Sequence, residues 1–388
     1  MAAYAQILQG RSVAVSGSDT QEHFFTDSVL KELNIPFIEG FSAANVPDTV
    51  DVVITSPAYI NTDNPEIQEV KKRGLPLLTW HDGLAELFNA NFGIAVCGTH
   101  GKSTTTAMLG IILEKAGLDP TVMVGSRVNA WGSNARVGKS KYYLIEADEY
   151  RDAFLHYNPK LIVVTNIEYD HPDYFPTPDS YAMSFKKFMD RVSDENLVHT
   201  PETLQHFNLV VPGEHNQRNA NIAYEAALKL GIDPAVARQA LESFNGLARR
   251  FEHYGSHNGA PLYDDYAHHP TEISALLQGA REHFPAKKIV VLFQPHTFSR
   301  TEKLMSDFVS ALSRPDSVAI LRTYGSARES GEDTMGKLLA DKLKAPYFAT
   351  HKEAVEHFSR TLTANDVLFA VGAGDGWQVL RDLVAKNT

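Results

Sequence analysis

The sequence predicts an α/β protein built from three successive units, residues 1–90, 91–246 and 247–388. Three observations carry that expectation. Short apolar runs alternate with stretches of helical period along the whole chain, the pattern of parallel sheets covered by helices. The alternation restarts near Asn91 and again near Gly246. A length of 388 residues suits two or three domains, each with a core of its own.

In the first unit, Ala2 to Gln9 reads as a helix. Val13-Ala14-Val15 reads as a strand leading into Ser16-Gly17-Ser18-Asp19, followed by a helical stretch to about Leu33. Phe37-Ile38, Val52 to Thr55 and Leu77 to Thr79 are further strands; Ser56-Pro57 stops the second of these, and Asn64-Pro65-Glu66 starts a helix. Such alternation implies a parallel sheet with ligands at the strand carboxyl ends. The unit opens on a helix with no strand or G-x-G-x-x-G loop before it, so a Rossmann-like domain lacking its first strand is expected.

The second unit holds the most informative stretch, Gly98-Thr99-His100-Gly101-Lys102-Ser103-Thr104-Thr105-Thr106. It follows the apolar run Phe92 to Cys97 and opens the periodic segment Thr104 to Ala116. Strand, glycine loop and helix are the context a phosphate-binding loop needs. Glycines let backbone N–H groups turn toward phosphate oxygens, the helix N-terminus adds its positive end, and Lys102 neutralises charge. Ser103 suits Mg²⁺, which prefers hard oxygens. Only Thr99 and His100 separate the two glycines, so the strict G-x-x-x-x-G-K-[ST] spacing requires Ala95 in place of its first glycine. An ordinary glycine turn is the plainer alternative.

Further strands are expected at Tyr142 to Glu146 and Leu161 to Ile167. Helices are expected near Tyr181 to Arg191 and Asn216 to Leu230, the latter after the turn Pro212-Gly213. Glu146-Ala147-Asp148-Glu149 closes one strand, where carboxylates could hold Mg²⁺ against a phosphate or simply form a polar exit. The other ends in Thr165-Asn166-Ile167-Glu168-Tyr169-Asp170-His171-Pro172-Asp173. Its histidine between two aspartates suits a cation or a reacting phosphate, and it is equally good turn chemistry.

The third unit reads as a second Rossmann-like sheet, with strands Leu262 to Asp265, Ile289 to Phe293, Val318 to Leu321 and Val367 to Val371. Helices follow at Pro270 to Arg281, Ser299 to Leu312, Thr334 to Leu343 and Gly376 to Ala385. Tyr266-Ala267-His268-His269-Pro270 joins a strand end to a helix start. The histidine pair invites a zinc reading, but adjacent histidines point in different directions and the lone Cys97 supplies no thiolate set, so no structural zinc is expected. His296 and Arg300 could face a carboxylate ligand, Arg300 bidentately, or Arg300 is a surface residue on a loop. Arg249-Arg250 suits phosphates or a solvated hinge, and Gly372-Ala373-Gly374-Asp375 is a glycine turn.

Composition narrows the classes. Hydrophobic residues at 43% and charged residues at 21% are ordinary for a globular chain. A formal net charge of −11 argues against broad nucleic-acid or anionic-membrane binding. One cysteine forms no intrachain disulfide, and Cys97 sits in an apolar run as a core residue. No basic leader with an apolar core and no membrane-length apolar segment is present, so a cytoplasmic protein is expected. No Ser-His-Asp or Cys-His nucleophile set is evident. Catalysis would rest on positioning and charge neutralisation around a phosphoryl group.

Taken in order, the motifs from Gly98 to Thr105, Glu146-Ala147-Asp148-Glu149, Thr165-Asn166-Ile167, Asp170-His171, Pro212-Gly213-Glu214-His215-Asn216, Arg249-Arg250-Phe251, Asp264 to Glu272, Phe293-Gln294-Pro295-His296 and Gly372 to Asp375 resemble the Mur ligase family. The resemblance spans nearly the whole chain. It implies a three-domain architecture: an N-terminal UDP-sugar domain, a central P-loop ATPase domain that is shortened here, and a C-terminal domain that closes over the nucleotide and brings the amino acid. The implied reaction is ATP-dependent ligation of L-alanine to the lactyl carboxylate of UDP-N-acetylmuramate through an acyl phosphate, in peptidoglycan precursor synthesis, with ATP and Mg²⁺ required.

By that resemblance Gly98, Thr99, His100, Gly101, Lys102, Ser103, Thr104, Asn216, Asn219 and Arg250 bind ATP. Ser103, Glu146 and His171 hold metal, and Lys102, Glu146, His171 and Arg300 are catalytic. Ser18, Asp19, Ser56, Tyr266, His296 and Arg300 bind substrate. UDP-N-acetylmuramate and L-alanine are the partners, with no nucleic acid and no membrane; monomer and homodimer stay equally open. Departures from the family pattern are Ser103 for threonine, Thr297 where arginine also occurs, a start just after the glycine-rich loop for the UDP diphosphate, and the short segment Tyr174 to Val211. Either the start codon is misplaced or part of the sugar-nucleotide site is lost. Two alternatives stand beside this reading: a ligase that recycles a preformed tripeptide onto the same sugar nucleotide, and a degenerate, non-catalytic nucleotide-binding relative.

Overall fold

The computed structural model describes residues 1–21, 25–172, 174–325 and 333–386. These divide into two compact units. The first comprises Met1–Glu168, Asp179–Phe207 and Asn219–Phe244; the second comprises Tyr169–Pro178, Asn208–Arg218 and Asn245–Thr388. Both of the first two expected stretches contribute most of their residues to the first unit. Asp173, one of the aspartates flanking His171 in sequence, lies outside the described residues.

The chain opens with helix α1 (Ala2–Gly10), followed by β1 (Gly17–Asp19), α2 (Phe25–Glu32), β2 (Phe37–Glu39), β3 (Val53–Thr55), α3 (Pro65–Arg73), β4 (Leu77–Thr79) and α4 (Trp80–Asn89). Local chemistry sets the helix starts. Asn64 accepts the N–H groups of Glu66 and Ile67 with Pro65 in the first turn, and Thr79 and Asp82 form a capping box. Two expectations are corrected here. Val13 to Val15 is not a strand: pairing begins at Gly17, opposite Phe37, and Val13 is left exposed. The strands also form two separate parallel pairs, β1 with β2 and β3 with β4, in place of one sheet.

A six-stranded sheet follows, built from β5 (Phe92–Cys97), β6 (Thr121–Val128), β7 (Ser133–Arg136), β8 (Tyr142–Glu146), β9 (Leu161–Val164) and β10 (Leu197–Val198) in the order β10-β9-β5-β8-β6-β7. Only β7 runs antiparallel to its neighbour. The helices of this part are α5 (Lys102–Lys115), α6 (Pro178–Met189), α7 (Glu214–Lys229) and α8 (Pro234–Glu242). From Ser103 to Leu113 every residue of α5 is buried, which a helix between a sheet and other helices requires. The segment β6–β7 was not expected from the sequence. Strand β9 stops three residues before the expected Ile167, because Thr165 and Asn166 turn away to hold the glycine loop.

The second unit carries β11 (Glu252–His257), β12 (Ala260–Asp265), α9 (Pro270–His283), β13 (Lys288–Phe293), α10 (Phe298–Lys303), α11 (Met305–Leu312), β14 (Ser317–Leu321), α12 (Thr334–Leu343), β15 (Tyr347–Phe348), α13 (His351–Thr361), β16 (Asp366–Val371) and α14 (Gln378–Ala385). Its strands order as β11-β12-β16-β13-β14-β15, parallel except for the β11–β12 hairpin. Strand β16 is buried along its length. Val367, Phe369 and Val371 face the core beneath α9, α11 and α12, while Leu368 and Ala370 face the one beneath α13 and α14. A parallel strand covered on both faces reads as this continuous apolar run. The single helix expected over Ser299 to Leu312 breaks at Leu304 into α10 and α11.

Candidate active site

Between β5 and α5 the backbone makes a tight loop that only glycine tolerates at two points. Gly98 has φ +135°, and a Cβ there would lie 2.0 Å from the Thr165 hydroxyl and 2.7 Å from the Asn166 carbonyl oxygen. Gly101 has φ +79°, and its Cβ would lie 2.3 Å from Asn219 Oδ1. The second strand end braces the loop. Thr99 N–H donates to the Asn166 carbonyl at 3.0 Å, and His100 N–H donates to Asn166 Oδ1 at 2.9 Å. His100 Nε2 lies 3.1 Å from Glu168 Oε2. At the start of α5 Gly101 is the N-cap with no side-chain cap, so no side chain takes up the first-turn amides of a helix buried from Ser103 to Leu113. That is the electrostatic and hydrogen-bonding character of an anion site.

Lys102 lies across this mouth. Its Nζ donates to the carbonyl oxygens of Gly98 at 2.6 Å and Thr99 at 3.2 Å, and to Glu149 Oε2 at 2.9 Å. Burial works against the ammonium charge, and the carboxylates of Glu149, Asp148 and Glu146 more than offset it, so its pKa is raised. Ser103 Oγ donates to Glu146 Oε1 at 3.0 Å, and the other Glu146 oxygen accepts the Gly125 N–H at 2.7 Å. A hydroxyl and a carboxylate at that spacing are a hard-oxygen pair suited to a divalent cation. Thr104 is buried beside them, and Cys97 ends β5 fully buried, its thiol pushed up by burial and then by the Glu149 charge.

Sequence reasoning overlooked Tyr181. From α6 its hydroxyl reaches Glu149 Oε1 at 3.2 Å and Thr99 Oγ1 at 2.9 Å. Nothing in its neighbourhood of the sequence marks it, since a tyrosine on the apolar face of a helix reads as core. In the same compact unit, Ser18 donates to Glu66, Asp19 Oδ1 accepts the Thr20 N–H at 2.8 Å, and Ser56 Oγ accepts the Ala58 N–H at 3.3 Å. Ser18 and Asp19 sit on β1 and Ser56 just past β3, all at strand carboxyl ends.

In the second unit Asp170 and Arg300 form a buried pair, Nε to Oδ1 at 3.2 Å and Nη2 to Oδ2 at 3.3 Å. Burial pushes the Asp170 carboxyl up, but Arg300, His171 and His268 more than compensate and hold it well below the usual carboxylate range. The expected open fork of Arg300 is thus closed on a carboxylate of the chain itself, with Nη1 3.3 Å from His296 Nδ1. His296 stacks on Tyr324 at 5.9 Å and meets His268 edge-on at 6.0 Å. Burial holds His268 down at about 4. Tyr266 lies under two guanidiniums, Arg249 at 5.0 Å and Arg250 at 5.4 Å. Arg249 also bonds Asp264 at 2.8 Å, and burial lifts that carboxyl to about 6 despite the pairing. His269 caps α9 together with Glu272. Asn216 donates to the Pro212 carbonyl at 2.6 Å.

The structure therefore brings Gly98 through Thr104, Glu146 and Asn219 together in the first unit. It groups His171, Tyr266, His296 and Arg300 around Asp170 and His268 in the second, where Asn216 and Arg250 also reside. A glycine loop at the start of a buried helix, with a lysine and a hydroxyl–carboxylate pair, has the make-up of a phosphate-binding loop.

Three family models match in succession: "Mur ligase family, catalytic domain" over residues 1–92, "Mur ligase middle domain" over 96–203 and "Mur ligase, glutamate ligase domain" over 249–374. A UDP-N-acetylmuramate–L-alanine ligase of Desulfitobacterium hafniense is 37% identical over 437 aligned positions, covering 99% of this chain and 97% of that protein. The crystal structure of the UDP-N-acetylmuramate-alanine ligase of Thermotoga maritima superposes with a TM-score of 0.84 at 29% identity, covering 100% of this chain and 96% of that one. A murein peptide ligase of Psychrobacter arcticus shares the fold, with a TM-score of 0.76 at 21% identity over 99% of this chain and 96% of that one. The chain belongs to the Mur ligase family. Among the described residues, no helix is long and apolar enough to cross a membrane.

Proposed function

We propose that the protein is an ATP-dependent ligase joining L-alanine to the lactyl carboxylate of UDP-N-acetylmuramate, in peptidoglycan precursor synthesis in the cytoplasm. The observation that carries this reading is the 37% identity, over 99% of the chain, to a ligase of that name. The site chemistry supports it. A carboxylate is a poor electrophile; transfer of a phosphoryl group to it gives an acyl phosphate that an amine can attack, releasing phosphate and leaving an amide.

Each residue then has a task. The loop from Gly98 to Thr104 would cradle the ATP phosphates, with Asn219 packed behind Gly101. Lys102 would exchange its carbonyl and Glu149 partners for phosphate oxygens, a swing of one side chain. Ser103 and Glu146 would hold Mg²⁺, and the cradle fits that ion because both groups are hard oxygen donors 3.0 Å apart. Bound there, the ion would offset the charge of bringing two anions together. His171 is proposed as a further metal ligand, and Asn216 and Arg250 as nucleotide contacts. Residues 1–90 would take the UDP-sugar, with Ser18, Asp19 and Ser56 at its strand ends. Residues 91–246 would form the ATP domain, and residues 247–388 would supply Tyr266, His296 and Arg300 to the amino acid.

The test is phosphate release by the purified chain. It should require ATP, Mg²⁺, UDP-N-acetylmuramate and L-alanine together, and Lys102→Ala should abolish it. Phosphate release independent of the sugar nucleotide would overturn the ligase reading. Preference for L-Ala-D-Glu-diaminopimelate over L-alanine would reassign the acceptor.

A further inference from the structure

We propose that Tyr181 is a positioning residue for nucleotide binding, a hydroxyl that holds Glu149 in place so that Lys102 can leave it for phosphate. The inference rests on the ATP-dependent reading above and deepens it. Tyr181 and Glu149 are each only 1% exposed. One Glu149 oxygen takes Lys102 at 2.9 Å and the other takes the Tyr181 hydroxyl at 3.2 Å. The same tyrosine oxygen lies 2.9 Å from Thr99 Oγ1, inside the glycine loop. One hydroxyl thus joins a side chain of the loop, Thr99, to the carboxylate that grips the loop lysine.

Proton counting fixes the direction of these bonds. An ionised carboxylate only accepts, so the single Tyr181 hydrogen belongs to Glu149. Thr99 Oγ1 accepts the Glu168 N–H at 2.9 Å, and its own hydrogen chooses between the Glu168 carbonyl at 2.7 Å and the Tyr181 oxygen at 2.9 Å. While Lys102 sits on Glu149, the carboxylate has a full positive charge beside it. Once Lys102 turns to a phosphate, that charge is withdrawn from a buried anion, and the donation from Tyr181 gains importance in a site of low dielectric. Turning the Thr99 hydrogen toward Tyr181 strengthens that donation further. The hydroxyl therefore favours the nucleotide-bound state over the free one, and a purely structural contact would favour both equally.

The experiment compares Tyr181→Phe with Phe185→Leu, which thins the ring contact that Tyr181 makes at 5.0 Å without touching the hydroxyl. Measured are KM and kcat, ATP affinity by calorimetry with excess Mg²⁺, and the melting temperature. Tyr181→Phe should raise KM for ATP and weaken ATP binding about tenfold, the scale of a hydrogen bond to a charged group, with kcat within about twofold of the parent. Its melting temperature should stay near that of the parent. Phe185→Leu should lower the melting temperature and leave KM in place. Parental ATP affinity in Tyr181→Phe, or parallel losses of affinity and melting temperature in both variants, would overturn the proposal. A parent chain that binds ATP but fails to ligate would overturn the functional reading alone, because ATP affinity still reports on Tyr181.

Discussion

Replacing Asp170 with asparagine tests the buried pair with Arg300. Both residues are 5% exposed, and the guanidinium meets the carboxylate through two nitrogens at 3.2 and 3.3 Å. Asparagine keeps the shape and removes the charge, leaving a buried cation against a neutral amide. Breaking such a pair from one side costs about 3–5 kcal/mol. For a unit of 165 residues that corresponds to a fall of about 10 °C in its unfolding transition. Arg300→Met added to Asp170→Asn should recover much of the loss, since the pair would then be replaced by neutral groups and no charge stays stranded.

The pH dependence has a definite sign. The folded-state pKa of Asp170 is held below its unfolded value. Its contribution is therefore full above about pH 4, the ordinary carboxyl value, and declines as pH falls below that toward the folded value. The gap between parent and Asp170→Asn should be widest near neutrality and close on acidification. Thermal unfolding followed by circular dichroism from pH 7 to pH 3 reads both quantities. Equal transitions at pH 7, or a gap that does not narrow with acid, would refute the reasoning.

Further outcomes concern the loop and the cation pair. Gly98→Ala places a Cβ 2.0 Å from the Thr165 hydroxyl at a φ of +135°, so the loop must shift by about an ångström, and misplacement on that scale costs on the order of a hundredfold in rate. Steady-state phosphate release reads that loss, and the strained backbone should also lower the melting temperature; activity within twofold of the parent would contradict it. Glu146→Gln keeps the Ser103 contact but removes a charge from the proposed cation pair. It should raise the Mg²⁺ concentration for half-maximal activity roughly tenfold, within the range for lost ligand-shell interactions, and addition of EDTA should abolish turnover of the parent.

Much of the candidate site was legible because its chemistry is local in sequence. Gly98, Gly101, Lys102 and Ser103 lie on one strand–loop–helix turn, and the carboxyl ends of β8 and β9 deliver Glu146, Asn166 and Glu168 to the same place. Tyr181 and the Asp170–Arg300 pair were not legible. Each depends on side chains meeting across long stretches of chain, and neither has a spacing signature. Several elements were readable but missed. Asn258-Gly259, at φ +49° and +78°, is the turn that makes a β11–β12 hairpin. Asp233-Pro234 and Thr350 with Glu353 are helix starts for α8 and α13. The polar run Glu252 to His257 hid β11, because an edge strand has one side in solvent and needs no apolar run. Val13 to Val15 failed in the opposite sense: an apolar triplet becomes a strand only where a neighbour offers hydrogen bonds.

The two large sheets finish in the same manner. Each has a two-residue strand at one margin, β10 or β15, and an antiparallel hairpin at the other, β6–β7 or β11–β12. A two-residue margin offers too few unsatisfied backbone groups to template a foreign strand, and a hairpin arm with a register shift in its ladder twists away from flat addition. Parallel sheets form slowly, since their strands are far apart in sequence, and are exposed to misassociation while they do. Blunted margins therefore protect the chain during folding, when concentration in the cell would otherwise favour edge-to-edge aggregation.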